Sequence, residues 1–462
     1  MIQELASLPA WNRKLSELVT AAAKQPSLRI FVCGPKSAGK STFSRLLTNK
    51  LVTQEGKCAT EVVCLDLDPG QPEYGLPGTV SLVHVTKANL SPPFTRAGYE
   101  RDLFRIVRSH AIASVSPAAD PDLYKSCTID LYQTYCKELS SLPLIVNTPG
   151  WILGTGLELL AEMIVLTASD EVIYMSEEGP SETVDALRAS TKNAFTTLPS
   201  QQSDLSSRTA AHFRSMQTLC YFHQQITSSG GTKSRPAWNT SPLTAVAPFQ
   251  VRYDGASSGI EGIMTYHHQS PSDLLAETIN GMVLAAVEIE DPRAYGPLLE
   301  AESKSLVVMR TPEGLPYISN PHHITLDPRY SRAIGLILVR GVDAQTRTLQ
   351  VLTPIPLTQI NGIKQAGRSI VLVHGKFDAP SWAYTEDMYS RQGEDESTEQ
   401  ILEAEAETSD LDDTVAVAED SQRTNQATSF PWVEVLRGNQ RRPTGSKVWR
   451  VRRDLGRKGP DG

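Results

Sequence analysis

The 462-residue chain contains no run of about 18 uninterrupted apolar residues, so the sequence predicts neither a membrane-spanning helix nor a membrane partner. Its first residues, MIQELASLPAWNRK, also lack the pattern of a signal peptide. None of the six cysteines belongs to a CxxC pair. They are expected to be reduced, mostly buried thiols in an intracellular compartment rather than zinc ligands or disulfides: Cys33, Cys58, Cys64, Cys127, Cys136 and Cys220.

An excess of positive charge is also absent, because 44 Lys and Arg residues stand against 52 Asp and Glu residues. The net charge of −8, taken alone, argues against a nucleic-acid-binding protein. The charge is unevenly distributed, however, since residues 386–420 hold fourteen acidic residues and one basic one. Residues 1–385 carry a net charge of only −2. The overall charge therefore excludes nothing about RNA.

The end of the chain carries the opposite charge. Residues 437–458 contain nine basic residues against Asp454 alone, and Trp449 lies among the arginines. This composition predicts a contact with an RNA backbone or with a partner protein. A nuclear-localisation patch is the alternative.

Short runs rich in β-branched residues predict buried parallel strands at 28–33, 61–67, 142–148 and 170–175. Helices are predicted between them at 40–50, 124–139 and 157–167. This alternation predicts an α/β fold with a doubly wound parallel sheet. From about residue 243 the pattern becomes β-rich, which predicts a smaller second domain with strands within 246–253, 281–289, 305–309, 333–341, 349–354 and 369–377.

Five segments follow from these patterns. They are a helical lead-in at 1–27, a P-loop domain at 28–242, a β-rich domain at 243–385, an acidic disordered linker at 386–428 and a basic tail at 429–462.

The most specific local motif is GPKSAGKS at residues 34–41, a full match to GxxxxGK[ST] between a predicted strand and a predicted helix. Backbone N–H groups of such a loop bind phosphates, Lys40 reaches the β- and γ-phosphate oxygens, and Ser41 ligates Mg²⁺. The predicted ATP-binding residues are Gly34, Pro35, Lys36, Ser37, Ala38, Gly39, Lys40, Ser41 and Thr42.

The second predicted strand ends in LDLDPGQ, which places Asp66 and Asp68 on one face because side chains alternate along a strand. Both carboxylates are therefore expected to point towards the phosphate site. One would hold magnesium and the other would orient or deprotonate an attacking hydroxyl. The alternative is that Asp68 only caps the turn that follows.

The next strand ends in VNTPGW, which resembles the switch motif DxxG of GTPases, but Asn147 occupies the position of the acidic residue. The sequence also contains no NKxD motif for guanine, so a GTPase switch is disfavoured.

Two arginines follow the loose stretch 197–207, in a position that suits a lid that closes over ATP. Arg208 and Arg214 are candidates to stabilise charge on the transferring phosphoryl group. The next aromatic segment, Tyr221-Phe222-His223, either stacks on a base or packs in the core.

Four segments in order, GPKSAGKST, LDLDPGQPEYGLPGTVSL, NTPGW and RTAAHFRSMQTLCYFH, resemble the eukaryotic polynucleotide 5′-hydroxyl kinase family. Within it, the chain is similar to the nucleolar branch that works in pre-ribosomal RNA processing. The C-terminal WVEVLRGNQ and SKVWRVRRDLGR also resemble the ends of its fungal members, so the likeness extends over most of the chain from about residue 28.

The resemblance implies an ATP- and Mg²⁺-dependent enzyme that transfers the γ-phosphate to the 5′-hydroxyl of RNA, in the nucleus and nucleolus. It also implies an endoribonuclease partner that makes the 5′-hydroxyl end. The family's clasp motif corresponds to Thr148, Gly150 and Trp151, where it would position the RNA or the P-loop lysine. Its DxDxxQ motif corresponds to Asp66, Asp68 and Gln71, with Ser41 and Asp66 as the expected magnesium ligands.

Two further expectations concern the domains of the chain and its function. Family members have a β-rich domain before the P-loop, which the roughly 30 residues before Gly34 are too few to contain. The alternative function is an ATP-binding scaffold that supports an RNA-processing endonuclease and has weak or no kinase activity.

Overall fold

The structure is a computed structural model, and it describes residues 7–54, 61–95, 103–177, 179–201, 209–225, 237–255, 258–268, 271–299 and 306–386. The described parts of 7–201 and 210–386 belong to one compact unit. Arg208, Cys58, the predicted basic tail and the predicted acidic linker beyond Glu386 lie outside the described residues.

The first sheet has seven strands in the order β4-β3-β2-β5-β1-β6-β7. Their bounds are β1 Arg29–Cys33, β2 Val62–Asp66, β3 Thr79–Val85, β4 Phe104–Ala111, β5 Leu144–Asn147, β6 Glu171–Tyr174 and β7 Ala194–Thr197. Strands β2, β5, β1, β6 and β7 are parallel, which confirms the predicted doubly wound sheet. Strands β3 and β4 extend it antiparallel beyond β2 and were not predicted.

Helices cover both faces of this sheet. They are α1 Pro9–Lys24, α2 Lys40–Val52, α3 Pro121–Glu138, α4 Thr155–Thr167, α5 Ser181–Ser190 and α6 Ala210–Phe222. Alternation along β1 divides the core: Ile30 and Val32 join the apolar cluster of α1 and α2, whereas Phe31 joins that of α3 and α4. The carboxyl ends of β1, β2 and β5 therefore meet at one edge between the two helical layers.

The second sheet has eight strands in the order β10-β16-β15-β12-β17-β11-β14-β13, all from the segment 243–385 that was predicted to be β-rich. Its strands are β10 Phe249–Arg252, β11 Gly262–Thr265, β12 Val283–Ile289, β13 Val308–Arg310, β14 Pro316–Ile318, β15 Ser331–Asp343, β16 Thr348–Leu352 and β17 Ser369–His374. The remaining elements are the two-residue strands β8 Gln224–Gln225 and β9 Ala237–Trp238 and the helices α7 Leu275–Ile279 and α8 Leu357–Gln365. Strands β11 and β14 were not predicted.

The two sheets meet along β4 and β15, and one apolar cluster continues from the first sheet into the second. Arg108 on β4 lies at this contact, which we call the seam. Its guanidinium donates to Asp130 at 2.5 Å, to Glu290 at 2.9 Å and to the carbonyl of Pro328 at 2.7 Å. His110 Nε2 also forms a hydrogen bond with Oδ2 of Asp130, at 2.8 Å. The seam is therefore apolar around a group of paired charges.

The cysteines follow the expectation in part. Cys33, Cys64 and Cys127 are buried free thiols, and burial raises the pKa of Cys33 and of Cys64 to about 12. Cys136 is exposed, so the expectation of burial is wrong there, and Cys220 is half-buried. Among the described residues, no helix is long and apolar enough to cross a membrane.

Candidate active site

The P-loop, residues 34–41, connects the end of β1 to the start of α2. Gly39 has a φ of +96°, a left-handed conformation that favours glycine. The Lys40 side chain is buried, and its Nζ donates to the carbonyl of Pro35 at 2.9 Å, so the ammonium lies against its own loop. Burial lowers the pKa of Lys40, and the charge of Asp68 opposes that shift. The loop thus holds a cation beside the free N–H groups of the first turn of α2.

Trp11 on α1 forms one wall of this loop. A Cβ at Gly39 would lie 2.6 Å from Trp11 Cη2, and the indole N–H donates to the carbonyl of Pro199 at 2.8 Å. The N–H of Gln201 donates to the carbonyl of Ala38 at 3.2 Å. The sequence pattern predicts only a helical lead-in at this place. The helical spacing of Trp11, Leu15, Leu18 and Ala22, all buried, was the signal that it packs on the core.

Asp66 ends β2 and is almost completely buried. Its Oδ2 accepts from the N–H groups of Glu73 at 2.6 Å and Tyr74 at 3.2 Å, and its Oδ1 accepts from Asn147 Nδ2 at 3.1 Å. Asn147 Oδ1 in turn lies 3.5 Å from Ser41 Oγ. Burial raises the pKa of Asp66 to about 7, although the amide of Asn147 opposes the shift. Asn147 therefore joins the P-loop serine to the first carboxylate, a role that its place in the sequence did not reveal.

Asp68 lies two residues later and is only partly buried. Its Oδ1 accepts from the N–H groups of Gly70 at 2.9 Å and Gln71 at 3.1 Å, so the predicted turn cap is present. Its Oδ2 has no hydrogen-bond donor among the described residues. Burial raises the pKa of Asp68, and the charges of Lys40 and Lys36 oppose this shift. The cap and a chemical role are therefore compatible, because each uses a different oxygen.

The rest of the DxDxxQ turn is fixed from α2. Gln71 itself is exposed. Glu73 forms a two-pronged ion pair with Arg45, with N···O distances of 2.7 and 2.8 Å. The backbone N–H of Glu73 that binds Asp66 is thus held in place by its own side chain.

The predicted clasp residues lie beside the P-loop. Thr148 is fully buried and donates to the carbonyl of Val32 at 2.9 Å, so it cannot contact RNA and instead supports the start of the loop. A Cβ at Gly150 would lie 2.6 Å from both Cα and N of Lys36. Trp151 is half-buried, and a Cβ at Gly156 would lie 2.6 Å from its ring. This segment therefore shapes the P-loop, and within it only Trp151 is exposed enough to meet a ligand through its side chain.

Arg214 lies on α6, in the described part of the segment that was predicted to form a lid. Its guanidinium pairs with Asp378, at 2.6 Å from Nε to Oδ2 and 3.3 Å from Nη2 to Oδ1. On the same helix Gln217 donates to the carbonyls of Pro72 and Gly75 at 3.1 and 2.9 Å. The helix that carries Arg214 is thus held by the second sheet and by the DxDxxQ turn, which differs from the expected loose lid.

The aromatic segment at the end of α6 packs in the core, which confirms that alternative over base stacking. Tyr221 and Phe222 are buried, and Tyr221 Oη lies 3.0 Å from both the N and the O of Leu336 on β15. Phe222 stacks on Trp382 with ring centroids 6.0 Å apart. Rings with these contacts are not available to a base.

Known proteins resemble this chain in sequence and in fold. Residues 34–224 match the family described as mRNA cleavage and polyadenylation factor CLP1 P-loop. The polynucleotide 5′-hydroxyl-kinase GRC3 of Gibberella zeae is 52% identical over 99% of this chain. The grc3 protein of Aspergillus niger is 35% identical over 96% of it. The chain spans 64% and 60% of the lengths of these two relatives.

A solved structure shows the same fold. The Clp1p chain of a wild-type Clp1p–Pcf11p complex has a TM-score of 0.51 and 16% identity, covering 79% of this chain and 80% of that one. The family resemblance deduced from the four motifs is therefore confirmed. The chain is thus similar over nearly its whole length to the fungal Grc3 polynucleotide 5′-hydroxyl-kinases, and its residues 34–224 match the Clp1 P-loop family.

Proposed function

We propose that this chain is an ATP- and Mg²⁺-dependent polynucleotide kinase that transfers the γ-phosphate of ATP to the 5′-hydroxyl of RNA. The observation that carries the proposal is the meeting of a buried P-loop lysine with two carboxylates that have different environments. Asp66 is held on both oxygens, whereas one oxygen of Asp68 has no donor in the part of the chain that the structure describes, and Asp68 is close enough to Lys40 for each to shift the other's pKa.

The phosphates of ATP would bind the N–H groups of the P-loop and the ammonium of Lys40. The hydroxyl of Ser41, the amide oxygen of Asn147 and the carboxylate of Asp66 are neighbouring oxygen donors, the ligand type that Mg²⁺ prefers. Ser41 and Asp66 would hold the ion, whose charge would offset that of the phosphates. Trp151, the half-buried residue of the clasp, would meet the nucleotide or the RNA.

Asp68 is the better candidate for the base that receives the proton of the RNA 5′-hydroxyl. A general base needs an accessible lone pair within hydrogen-bond reach, and Oδ2 of Asp68 provides one. Burial also raises the pKa of Asp68, which makes its carboxylate a stronger base than a solvent-exposed one. Asp66 lacks a free oxygen of this kind because both of its oxygens already accept hydrogen bonds.

The decisive experiment measures transfer of label from ATP to a 5′-hydroxyl RNA by the wild-type chain, by Lys40→Ala and by Lys50→Ala, an exposed lysine at the end of the same helix. We expect transfer by wild type and Lys50→Ala and its loss in Lys40→Ala. If wild type binds ATP but transfers no label, and partner-dependent RNA cleavage persists, the scaffold function replaces the kinase. Competition by GTP as strong as by ATP would point to a nucleotide switch.

The biological setting is part of the proposal. The resemblance to the nucleolar branch supports action on pre-ribosomal RNA, at an internal transcribed spacer, with an endoribonuclease that leaves a 5′-hydroxyl end. The nine basic residues of 437–458 would bind that partner or the RNA. Deletion of residues 430–462 is expected to weaken partner binding and RNA cleavage without loss of kinase activity on a short RNA. Unchanged binding and cleavage would contradict the assignment of the tail.

A further inference from the structure

The second sheet contributes one charged group at the edge of the candidate active site. Asp378 follows β17 and faces Arg214 of α6 in a two-pronged ion pair. The Arg214 side chain is 15% exposed, and its Nη1 has no acceptor among the described residues. The carboxylate therefore fixes the plane of the guanidinium and leaves one of its nitrogens available.

Contacts on both sides of Arg214 fix α6 as a whole. Three residues further on, Gln217 donates to two carbonyls of the turn that follows Asp68. Seven residues further on, the Tyr221 hydroxyl binds the backbone of Leu336. Spacings of three, four and seven place these side chains on one face of the helix. Arg214 is thus presented from a fixed helix.

The segment around Asp378 reaches the Asp68 turn through direct packing. Lys376 donates its N–H to the carbonyl of Ala113 at 2.7 Å, and a Cβ at Gly78 would lie 2.5 Å from the ring of Phe377. A Cβ at Gly70, inside the Asp68 turn, would lie 2.8 Å from the carbonyl of Val115. Arg214 and Asp378 line a small crevice together with Val115. The ion pair therefore borders the Asp68 turn.

We propose that Asp378 is a positioning residue of the kinase, which orients Arg214 so that its free nitrogen meets the transferring phosphoryl group or the RNA beside it. The inference rests on the proposed function and adds to it that the second sheet is part of the catalytic unit. A bidentate carboxylate defines the direction of a guanidinium better than solvent does. Loss of the carboxylate leaves the charge of Arg214 in place and removes only its orientation.

The test measures steady-state kinase parameters and thermal unfolding of the full chain for Asp378→Asn, Asp378→Glu, Arg214→Gln and the double variant Arg214→Gln/Asp378→Asn. Asp343→Asn is the matched control, since Asp343 caps a turn elsewhere in the second sheet. We expect Arg214→Gln to lower kcat about 10³-fold and Asp378→Asn to lower it about tenfold, with the KM for ATP nearly unchanged. Asp378→Glu restores part of the loss, and Asp343→Asn has no effect.

The double variant decides whether Asp378 acts through Arg214. It is expected to equal Arg214→Gln alone, because no oriented guanidinium remains to be disturbed. If the double variant lost the product of the two single losses in kcat, Asp378 would act independently of Arg214 and the inference would be overturned. A kcat of Asp378→Asn above that of wild type would also overturn it, by showing that Asp378 keeps Arg214 away from the phosphoryl group. Label transfer by wild type that persists undiminished in Asp378→Asn overturns this inference alone. No transfer by wild type overturns the kinase proposal and this inference with it.

Discussion

The phosphate-binding end of the first sheet and the seam between the two sheets are built from different kinds of contact. At the phosphate end, short-range backbone groups fix each functional side chain: Asp66 accepts from Glu73 and Tyr74, and Asp68 accepts from Gly70 and Gln71. At the seam, single side chains join residues that are far apart in sequence. Arg108 on β4 donates to Glu290, 182 residues away, and to the carbonyl of Pro328, 220 residues away.

The first kind of contact sets the geometry of the candidate active site, and the second kind contributes to the stability of the fold. The backbone donors at the phosphate end lie two to eight residues from the carboxylates that they bind. Side chains at the seam hold two sheets together, and each depends on both sheets being folded. Substitutions at the phosphate end should therefore affect chemistry first, and substitutions at the seam should affect stability first.

The largest effect is expected for Asp68→Asn, which keeps the size of the side chain and removes the base. We expect kcat to fall about 10³-fold, because general bases contribute roughly 10² to 10⁴ in rate, while the thermal midpoint changes little. Phosphorylation of a 5′-hydroxyl RNA and thermal unfolding provide the two measurements. A large loss of stability in Asp68→Asn would break the contrast between the regions.

The seam should show the opposite response in Arg108→Met, which leaves the carboxylates of Asp130 and Glu290 without their shared cation. Removal of one partner of a buried ion pair costs about 3–5 kcal/mol in the free energy of unfolding, and we expect a loss near the lower end. Urea denaturation measures it. Arg293→Met is the matched control because its ion pair with Asp291 is exposed, and it should leave stability unchanged. Equal losses in both variants would contradict the proposed role of the seam.

Gly150→Ala tests whether the clasp shapes the P-loop. The added methyl group would overlap Lys36, so the loop must move, and displacements of about 1 Å can cost roughly 10² in rate. We expect kcat/KM for ATP to fall by about that factor. The control is Gly362→Ala, a helical position with nothing within 4 Å of the new Cβ. Unchanged ATP kinetics in Gly150→Ala would show that the loop tolerates the shift.

Acid should act in opposite directions on a buried histidine of the second sheet and on Asp66. Burial, with His268 alongside, lowers the pKa of His374 at the end of β17 to about 4, so its contribution to stability is present above about pH 6.5 and is lost as the pH falls towards 4. Burial raises the pKa of Asp66 to about 7, so its burial cost is relieved as the pH falls through 7.

The corresponding measurement compares unfolding free energies at pH 8 and pH 5. His374→Gln should reduce the acid-induced loss of stability by about 2 kcal/mol relative to wild type. Asp66→Asn should increase that loss. The same pH dependence in both variants would show that neither group titrates as its surroundings imply.

Much of the phosphate end could be predicted from sequence because its chemistry lies within short motifs. The P-loop, the DxDxxQ turn and the order of the parallel strands follow from residue spacing alone. From the sequence, Asn147 is notable only because it replaces the acidic residue of the DxxG motif of GTPases. Nothing in the local sequence shows that its side-chain amide contacts both Ser41 and Asp66.

Contacts that reach into the second sheet could not be predicted in the same way, because they join residues that are more than a hundred positions apart in sequence. Nothing in the sequence around Asp378 distinguishes it from other acidic residues, and only the fold brings it to Arg214. The antiparallel strands β3 and β4 were missed for a related reason. Strand β3 pairs antiparallel with β2, and β4 pairs antiparallel with β3, an arrangement that the alternation of strands and helices does not predict.

The Tyr221 hydroxyl, which meets both the N–H and the carbonyl of one residue of β15, has a consequence for how the protein unfolds. Helix α6 belongs by sequence to the P-loop half, yet its end is buried in the other half. A chain cut near residue 242 would expose the apolar surface of Tyr221 and Phe222 to water. Heating should therefore melt both sheets in a single calorimetric transition, and a ligand bound at the P-loop should protect amides of β15 from hydrogen exchange.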